Sequence, residues 1–307
     1  DLVLSRGLGD VYKRQRKAAG LGQSPTAKNP DRYEQKFYYT DITIVGGGIS
    51  GLLAALGAGR SGCKVLLIDE NPELGGYLLD YNFSINEKDG KKWLKKIIDE
   101  LNGLANVVIL KRTTVMGYYD YNYLTALEKV TNHHVEFSST LPRERYWRIR
   151  SKKVILAQGA FERPLVFADN DRPGIMMASA GQKYLSRYGV LPGKSVVLFT
   201  NNDHAYLTAF EFVEKGAKVT VVDTRDLLNA RISEKCKSLN ITVFKSYSVI
   251  KTYGDKKVNR IEIQQVDKNQ NQLTGEVENI HTDCVLMSGG WNPAVQLFSQ
   301  SRGKLKY

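Results

Sequence analysis

The chain has 307 residues, of which 42% are hydrophobic and 25% charged, and its formal net charge is +12 at pH 7. This length is sufficient for two domains with separate hydrophobic cores. The sequence has no stretch of 18 or more apolar residues, so no transmembrane helix and no membrane partner are predicted. The positive charge lacks the concentrated basic stripe or the motif typical of nucleic-acid binding, and no nucleic-acid partner is expected.

Three cysteines, Cys63, Cys236 and Cys284, lie far apart and match neither a metal-binding nor a redox-active spacing. We interpret them as thiols in a reducing compartment. Residues 1–40 contain no apolar core of a signal peptide, and a cytoplasmic location is therefore expected. The four histidines are scattered along the chain, so no metal site is predicted.

The N-terminal residues 1–39 are predicted to be a linker. The string Gly-Asp-Val-Tyr-Lys-Arg-Gln at residues 9–15 resembles translated linker sequence. We therefore exclude residues 1–15 from the fold prediction as not native to the protein. Residues 16–39 are polar and contain Gly, Pro, Ser and Asn, a composition typical of a connecting segment.

Residues 42–70 have the most informative pattern in the chain. They predict a strand, a glycine-rich turn, a helix, a second strand and an acidic pair, with bounds at 42–45, 46–51, 52–62, 65–68 and 69–70. This order is typical of a dinucleotide-binding βαβ unit. Gly46 permits the tight turn, Gly48 leaves room for the pyrophosphate, and Gly51 allows the helix to pack closely on the strand. The helix N-terminus then offers free N–H groups to the phosphates.

The acidic pair predicts which dinucleotides fit. Asp69 or Glu70 can accept hydrogen bonds from the adenosine ribose hydroxyls, and a carboxylate would repel a 2′-phosphate. NAD or FAD is therefore favoured over NADP. Both share the ADP half that the pattern recognises, so the choice between them stays open. The alternative is a glycine-rich turn in an ordinary βαβ unit that binds nothing.

Further along the chain, the double glycine Gly75-Gly76 is either a loop that runs along the dinucleotide or a plain turn. A helix is predicted over 91–104 and a strand over 107–110. Three or four antiparallel strands are expected between 113 and 150, and Val115 is placed to offer its backbone to an adenine edge.

The strand predicted over 153–160 ends in small residues, including Gly159, and is expected to return the chain under the dinucleotide.

A second nucleotide-type unit follows. A strand (195–199), a turn (200–203), a helix (205–215) and a strand (219–223) repeat the order of the first unit, but the turn contains no glycine. Asn202 or Asp203 would cap the helix. Without glycine, close approach of a pyrophosphate is disfavoured, so this unit is interpreted as structural rather than as a working nicotinamide site.

The predicted fold class is α/β. We expect two Rossmann-like dinucleotide-binding domains arranged as in glutathione reductase, the second inserted in the first. The predicted bounds are 40–188 for the first domain, 189–280 for the second, and 281–307 for a truncated return to the first. The strand at 284–288 resembles the return strand of a nucleotide domain.

Three segments carry a family resemblance: residues 154–174, 198–203 and 287–303. They contain the strings Arg-Pro-Gly, Thr-Asn-Asn-Asp and Ser-Gly-Gly-Trp. Together they resemble the α subunit of heterotetrameric sarcosine oxidase, and the resemblance covers about residues 16–307. Opine, hydroxyproline and proline dehydrogenases and hydrogen cyanide synthase share the architecture with looser matches.

The resemblance implies a complex with β, γ and δ subunits that oxidatively demethylates sarcosine to glycine. It implies hydrogen peroxide formation and transfer of the one-carbon unit to tetrahydrofolate. The amine-oxidation site, an FAD and a covalent FMN would lie on the β subunit, and the α subunit would hold NAD. No catalytic residue is assigned to this chain.

Carried over residue by residue, the resemblance implies an NAD site formed by Gly46, Gly48, Ser50, Gly51, Asp69, Glu70, Asn71, Gly76, Tyr77 and Val115. Gly75 and Gly159 complete the set of candidate cofactor-binding residues. The ferredoxin-like and folate-binding domains of the family's α subunit have no counterpart here, so an internal fragment is expected. The fragment alone is expected to aggregate and to bind nucleotide weakly.

Three alternatives stay open. The resemblance also allows the α subunit of a related amine or opine dehydrogenase complex. The chain could be a non-redox scaffold whose dinucleotide is a structural ligand. The chain could also be a stand-alone flavin-dependent pyridine-nucleotide oxidoreductase. Such an enzyme would need a turn in the second unit that binds the nicotinamide dinucleotide, and usually a redox-active cysteine pair. The cysteine spacing does not fit that pair.

Overall fold

Two β-sheets flanked by helices, one mixed and one parallel, form the frame of the chain. A computed structural model describes residues 11–20, 26–85, 88–136, 140–269 and 271–306. Within the predicted linker, residues 1–10 and 21–25 lie outside the described residues, and residues 11–18 form an exposed helix.

The strands, numbered in chain order, are β1 (Tyr33–Val45), β2 (Val65–Ile68), β3 (Ser84–Ile85), β4 (Lys88–Asp89), β5 (Val107–Leu110), β6 (Thr113–Tyr119), β7 (Tyr123–Lys129), β8 (Glu144–Leu156), β9 (Ala160–Glu162), β10 (Ile175–Met177), β11 (Ser195–Thr200), β12 (Lys218–Asp223), β13 (Thr242–Lys245), β14 (Tyr247–Tyr253), β15 (Arg260–Val266), β16 (Leu273–His281), β17 (Cys284–Ser288) and β18 (Trp291–Pro293). The helices that pack on them are α1 (Ile49–Arg60), α2 (Gly90–Gly103), α3 (Ala178–Tyr188), α4 (Ala205–Glu214), α5 (Ala230–Ser238) and α6 (Gln296–Gln300).

The first sheet has the order β5-β2-β1-β8-β7-β6. Its first four strands are parallel, whereas β8, β7 and β6 form an antiparallel meander. All four residues of β2 are buried, as expected for a strand covered on both faces. Helices α1 and α2 cover one face through residues such as Leu52 and Leu94. Trp147 and Ile149 fill the core on the other face.

The second sheet is parallel throughout, with the order β10-β17-β11-β12-β13. Tyr206 and Phe212 of α4 are buried with the apolar side chains on one face. The antiparallel sheet β14-β15-β16 contributes Ile261 and Ile263 to a core on the other face, against Phe199. The predicted α/β class with two Rossmann-like units is confirmed.

Some element bounds differ from the sequence prediction. Strand β1 begins at Tyr33, inside the predicted linker, because it pairs with β8 along its length. Residues 175–188, expected in the first domain, form β10 and α3 and join the second sheet. Strand β17, expected after the second domain, lies inside that sheet between β10 and β11, where Val285 and Leu286 are buried in its core. The domain bounds themselves stay a prediction.

The chain passes between the two domains twice, and the two connecting segments lie side by side. Strands β9 and β18 pair antiparallel, with Glu162 opposite Trp291. Beyond this crossing, α6 returns to the first sheet, where Leu297 is buried in the core and Gln300 Oε1 accepts the N–H of Tyr118 at 2.8 Å. The last segment of the chain therefore packs on the first domain.

A second contact joins the domains through the turn after the double glycine. Arg187 of α3 donates to Asp80 at 2.5 Å. Gln182, which is fully buried, donates to the carbonyl oxygen of Asp80 and to Glu211, both at 2.7 Å. Because buried polar groups need partners, these bonds favour one relative placement of the two domains.

In the described part of the chain, no helix is long and apolar enough to cross a membrane. The same residues contain no group of three or more His, Cys, Asp or Glu side chains that could hold a metal ion.

Candidate functional site

The glycine-rich turn between β1 and α1 is fixed by contacts with the end of β8. Gly46 has φ +106°, and a Cβ at this position would overlap the carbonyl oxygen of Ala157. A Cβ at Gly51 would overlap the carbonyl oxygen of Gly46. Packing within the protein alone therefore requires glycine at both positions.

Gly48 differs from these two glycines. It precedes α1 with φ −73° and ψ −174°, a conformation open to any residue, and no atom lies within 4 Å of a Cβ placed there. Neither packing nor backbone strain explains glycine at this position. Its carbonyl oxygen accepts the N–H of Leu52, and the first-turn N–H groups of α1 lack intrahelical partners. Ser50 lies exposed in that turn.

Asp69 holds the glycine-rich turn in place through hydrogen bonds. Its Oδ2 accepts the backbone N–H of Gly47 at 2.5 Å. Its Oδ1 accepts the backbone N–H and the side-chain Nδ2 of Asn71 at 2.7 and 3.0 Å. Glu70, by contrast, is exposed, and its side chain has no hydrogen bond or ion pair with any described residue. The two acids thus have different roles in the fold.

The double glycine lies against the turn. The N–H of Gly75 donates to the carbonyl oxygen of Gly47 at 2.8 Å. A Cβ at Gly76 would lie 3.3 Å from the Cα of Gly48, so the two glycines face each other closely. Gly75 is buried with φ +131°, and Gly76 is exposed with φ +53°. The double glycine therefore lies directly beside the turn between β1 and α1, and its interpretation as a dinucleotide loop or a plain turn stays a prediction.

Tyr77 begins an aromatic cluster between the two domains. Its ring centroid lies 5.0 Å from Trp291 and 6.0 Å from both Tyr81 and His204, and the rings of His204 and Trp291 are 5.2 Å apart. Burial raises the pKa of the Tyr77 phenol and lowers the pKa of His204, so burial favours the neutral form of each group.

Glu162 Oε1 and His204 Nδ1, which lie in or beside this cluster, are buried and have no hydrogen-bond partner within the described chain, and the same holds for Gln158 Oε1 beside the glycine turn. The other oxygen of Glu162 accepts the N–H of Ser179 at the start of α3, at 2.9 Å. Glu162, His204 and Trp291 were not predicted as site residues, because they come from three distant segments that share no spacing.

The remaining candidates lie around the turn. Val115 is half-buried on β6, where the N–H of Thr113 donates to the carbonyl oxygen of Asp69 at 2.9 Å. The start of β6 therefore lies beside the end of β2. Gly159, with φ +73°, is exposed two residues beyond Ala157, with open space beside its Cα. Gly46 to Gly51, Asp69, Asn71 and the double glycine are brought together, whereas Val115 and Gly159 lie at the margins.

In the second unit, the position that corresponds to the dinucleotide turn of the first unit is filled by the unit's own side chains. Asp223 at the end of β12 is fully buried, and it accepts the hydroxyl of Tyr206 at 2.8 Å and the guanidinium of Arg225 at 2.9 Å. Arg225 also donates to Asp203 at 2.7 Å. Burial and the Asp223 carboxylate raise the pKa of Tyr206. No oxygen of Asp223 is left facing solvent for a ribose.

The turn of the second unit is also held by hydrogen bonds from its own side chains. Asn202 Nδ2 donates to the carbonyl oxygen and the hydroxyl of Ser288 at 3.1 Å. Its Oδ1 accepts the N–H of Ala205, the first residue of α4, at 3.3 Å. The N-cap position itself is His204, whose side chain makes no capping bond, so the sequence prediction of Asn202 or Asp203 as the cap was wrong in position. Asp203 instead pairs with Arg225.

The chain matches the family model of pyridine nucleotide-disulphide oxidoreductases over residues 40–307. It belongs to that family. All three cysteines lie within the described residues and are free. Burial raises the pKa of Cys284 to about 12, which disfavours the reactive thiolate. No two of the three cysteines are joined by a disulfide in the described part of this family member.

The resemblance to the α subunit of sarcosine oxidase is confirmed by curated relatives. The chain is 40% identical over 290 residues to the sarcosine oxidase α subunit of Rhizobium meliloti (strain 1021), covering 94% of the chain and 28% of that protein. It is 37% identical over 293 residues to the α subunit of Corynebacterium sp. (strain U-96), covering 94% and 30%. The chain thus spans less than a third of the length of these relatives.

Two solved structures share the fold. Thioredoxin reductase of T. acidophilum superposes with a TM-score of 0.68 at 20% identity, covering 87% of this chain and 82% of that one. L-proline dehydrogenase from P. horikoshii superposes with a TM-score of 0.62 at 22% identity, covering 93% and 48%. Both likenesses support the two-domain oxidoreductase fold.

Proposed function

We propose that this chain is the dinucleotide-binding module of a sarcosine-oxidase-type α subunit. The observation that carries the proposal is the open space at Gly48, directly before the N-terminus of α1. The protein's own packing requires glycine at Gly46 and Gly51 but not at Gly48. A pyrophosphate that approaches the free N–H groups of the helix supplies the missing reason.

NAD is the proposed ligand of this site, and FAD, which shares the ADP half, is the alternative. Each carboxylate oxygen has about two acceptor positions. Oδ1 of Asp69 uses both on Asn71, whereas Oδ2 uses one on Gly47 and keeps one. We infer that this remaining position accepts a ribose hydroxyl. Val115 would border the adenine, and Gly75, Gly76 and Tyr77 would follow the dinucleotide toward the aromatic cluster.

Asp69→Ala is expected to weaken NAD binding by about 1–3 kcal/mol, or roughly fivefold to 150-fold, because it removes a charged acceptor and the bond to Gly47. Glu70→Ala is the matched control, since Glu70 is the adjacent and exposed carboxylate. It should change affinity by less than about threefold. Isothermal titration of NAD into each variant measures both effects. A larger loss in Glu70→Ala would assign the ribose contact to Glu70.

The proposed complex oxidises sarcosine to glycine on a partner β subunit that carries FAD and FMN. Hydrogen peroxide formation, transfer of the one-carbon unit to tetrahydrofolate, and the γ and δ subunits belong to the same proposal. The identity of 37–40% to the α subunits of sarcosine oxidases supports it. An opine oxidase subunit of Agrobacterium tumefaciens (strain Ach5), 30% identical over 193 residues, covering 61% of the chain and 37% of that protein, supports a related amine-oxidising complex as the alternative.

NAD, when bound, supplies a ring that accepts or donates a hydride. This chain's residues would bind the pyrophosphate at α1, fix the ribose through Asp69, and place the ring near the cluster of Tyr77, His204 and Trp291. We propose no acid, base or nucleophile for amine oxidation on this chain.

A second candidate function is a non-redox scaffold in which the dinucleotide only stabilises the protein. The buried Asp223 at the closed end of the second unit favours it. Addition of sarcosine to the assembled complex, followed by the absorbance of reduced nicotinamide, separates the two. Reduction at the rate of turnover supports the redox function. Peroxide formation with unchanged nucleotide supports the scaffold.

A further inference from the structure

A groove of about 470 Å³ opens on the first domain between α2, the end of β5 and the segment that precedes the double glycine. Its lining residues are Glu73, Leu74, Leu79, Lys91, Leu94, Lys95, Ile98, Asp99, Asn102, Ile109 and Lys111. The volume lies in the range of small-molecule sites, which are mostly apolar with a few converging polar groups.

The floor of the groove is aliphatic. Leu94 and Ile98 lie one turn apart on α2, and Leu74, Leu79 and Ile109 complete the surface. No aromatic ring is among the lining residues. An occupant would therefore be held by burial of aliphatic surface rather than by stacking.

The rim is mostly cationic. Lys91 and Lys95 stand one turn apart on α2, and Lys111 follows β5 on the other side. All three are exposed, and none forms an ion pair with a described residue. Of the two rim carboxylates, Glu73 lies 4.0 Å from Arg187, and Asp99 has no ion pair with a described residue. The ammonium groups thus outnumber the carboxylates on this rim.

We propose that this groove binds an aliphatic carboxylate, with the hydrocarbon chain on the leucine and isoleucine floor and the carboxylate at the lysine rim. Charge complementarity selects an anion, and the aliphatic floor selects a flexible apolar chain. The floor residues Leu74 and Leu94 pack against Gly47 of the dinucleotide turn and Gly75 of the double glycine, but none of the candidate cofactor-binding residues lines the groove. The proposal does not depend on the proposed function.

Isothermal titration of the 307-residue protein with three probes tests whether binding needs both the negative charge and the hydrocarbon tail of the ligand. Decanoate, below its micelle concentration, is expected to bind with one equivalent per chain. Decanol has the same hydrocarbon tail but no charge, and should bind at least threefold more weakly. Acetate has the charge but no long hydrocarbon tail, and should give no binding heat. Equal affinity for decanoate and decanol, or no decanoate binding, would overturn the proposal.

Two double variants test the rim. Lys95→Gln with Lys111→Gln should weaken decanoate binding by roughly threefold to tenfold, the scale of two exposed ion pairs. Lys92→Gln with Lys96→Gln also removes two positive charges, both at exposed positions of α2 outside the groove. This variant should leave the affinity for decanoate unchanged. Thermal unfolding checks that both variants fold. An equal loss in the two variants would assign binding to general charge and overturn the site.

Discussion

Gly48→Val is expected to abolish dinucleotide binding while the fold stays intact. The backbone at Gly48 is extended, and no protein atom outside its chain neighbours lies within 4 Å of a Cβ there, so the Cβ of a valine makes no clash with the protein. Its branched side chain would fill the space assigned to the pyrophosphate. We expect affinity for NAD to fall by about 100-fold or more, equivalent to about 2.7 kcal/mol, with a melting temperature close to that of the wild type.

Gly57→Ala is the matched control for this substitution. Gly57 lies on the exposed side of α1, with open space around a Cβ and an ordinary helical backbone. Alanine there should raise stability by up to about 1 kcal/mol through helix propensity and leave NAD affinity unchanged. Full NAD affinity in Gly48→Val, measured by titration calorimetry, would place the ligand elsewhere.

Asp223→Asn is expected to destabilise the protein without changing its affinity for NAD. The carboxylate is fully buried and accepts bonds from Tyr206 and Arg225. Removing one partner of such a pair costs about 3–5 kcal/mol. Arg225 is partly exposed and keeps Asp203 as a partner, so we expect a cost at the lower end of that range, about 3 kcal/mol. The corresponding fall in melting temperature is roughly 5–10 °C.

Asp203→Asn provides the comparison, because it removes the other carboxylate bound by Arg225. Asp203 is 46% exposed, against 0% for Asp223. Its loss should cost no more than about 1 kcal/mol. If Asp223→Asn lowered NAD affinity and left thermal unfolding unchanged, the second unit would be a nucleotide site after all.

Local apolar patterns were sufficient to predict much of the fold. Strands β2, β5 and β17 have the predicted bounds, since each is a continuous apolar run and is buried or partly buried along its length. Residues 33–41 of β1 were missed because polar residues interrupt the apolar pattern there. Their strand conformation depends on pairing with β8, more than 100 residues later.

The site was predicted unevenly for the same reason. The turn residues from Gly46 to Gly51 are close in sequence, so their pattern could be recognised. The use of Asp69 to hold Gly47 could not be read from spacing, because either of two adjacent acids fits. The burial of Asp223 depends on Tyr206 and Arg225, which meet it only in the folded domain.

The most direct test of the central claim is the number of NAD molecules bound per purified chain at equilibrium, measured by dialysis at an NAD concentration about tenfold above the wild-type Kd. Quantitation should find about one equivalent of NAD in the wild type, about one in Asp223→Asn, and less than about 0.1 in Gly48→Val. Two equivalents in the wild type, or the same amount in Gly48→Val, would contradict a single dinucleotide site at the turn between β1 and α1.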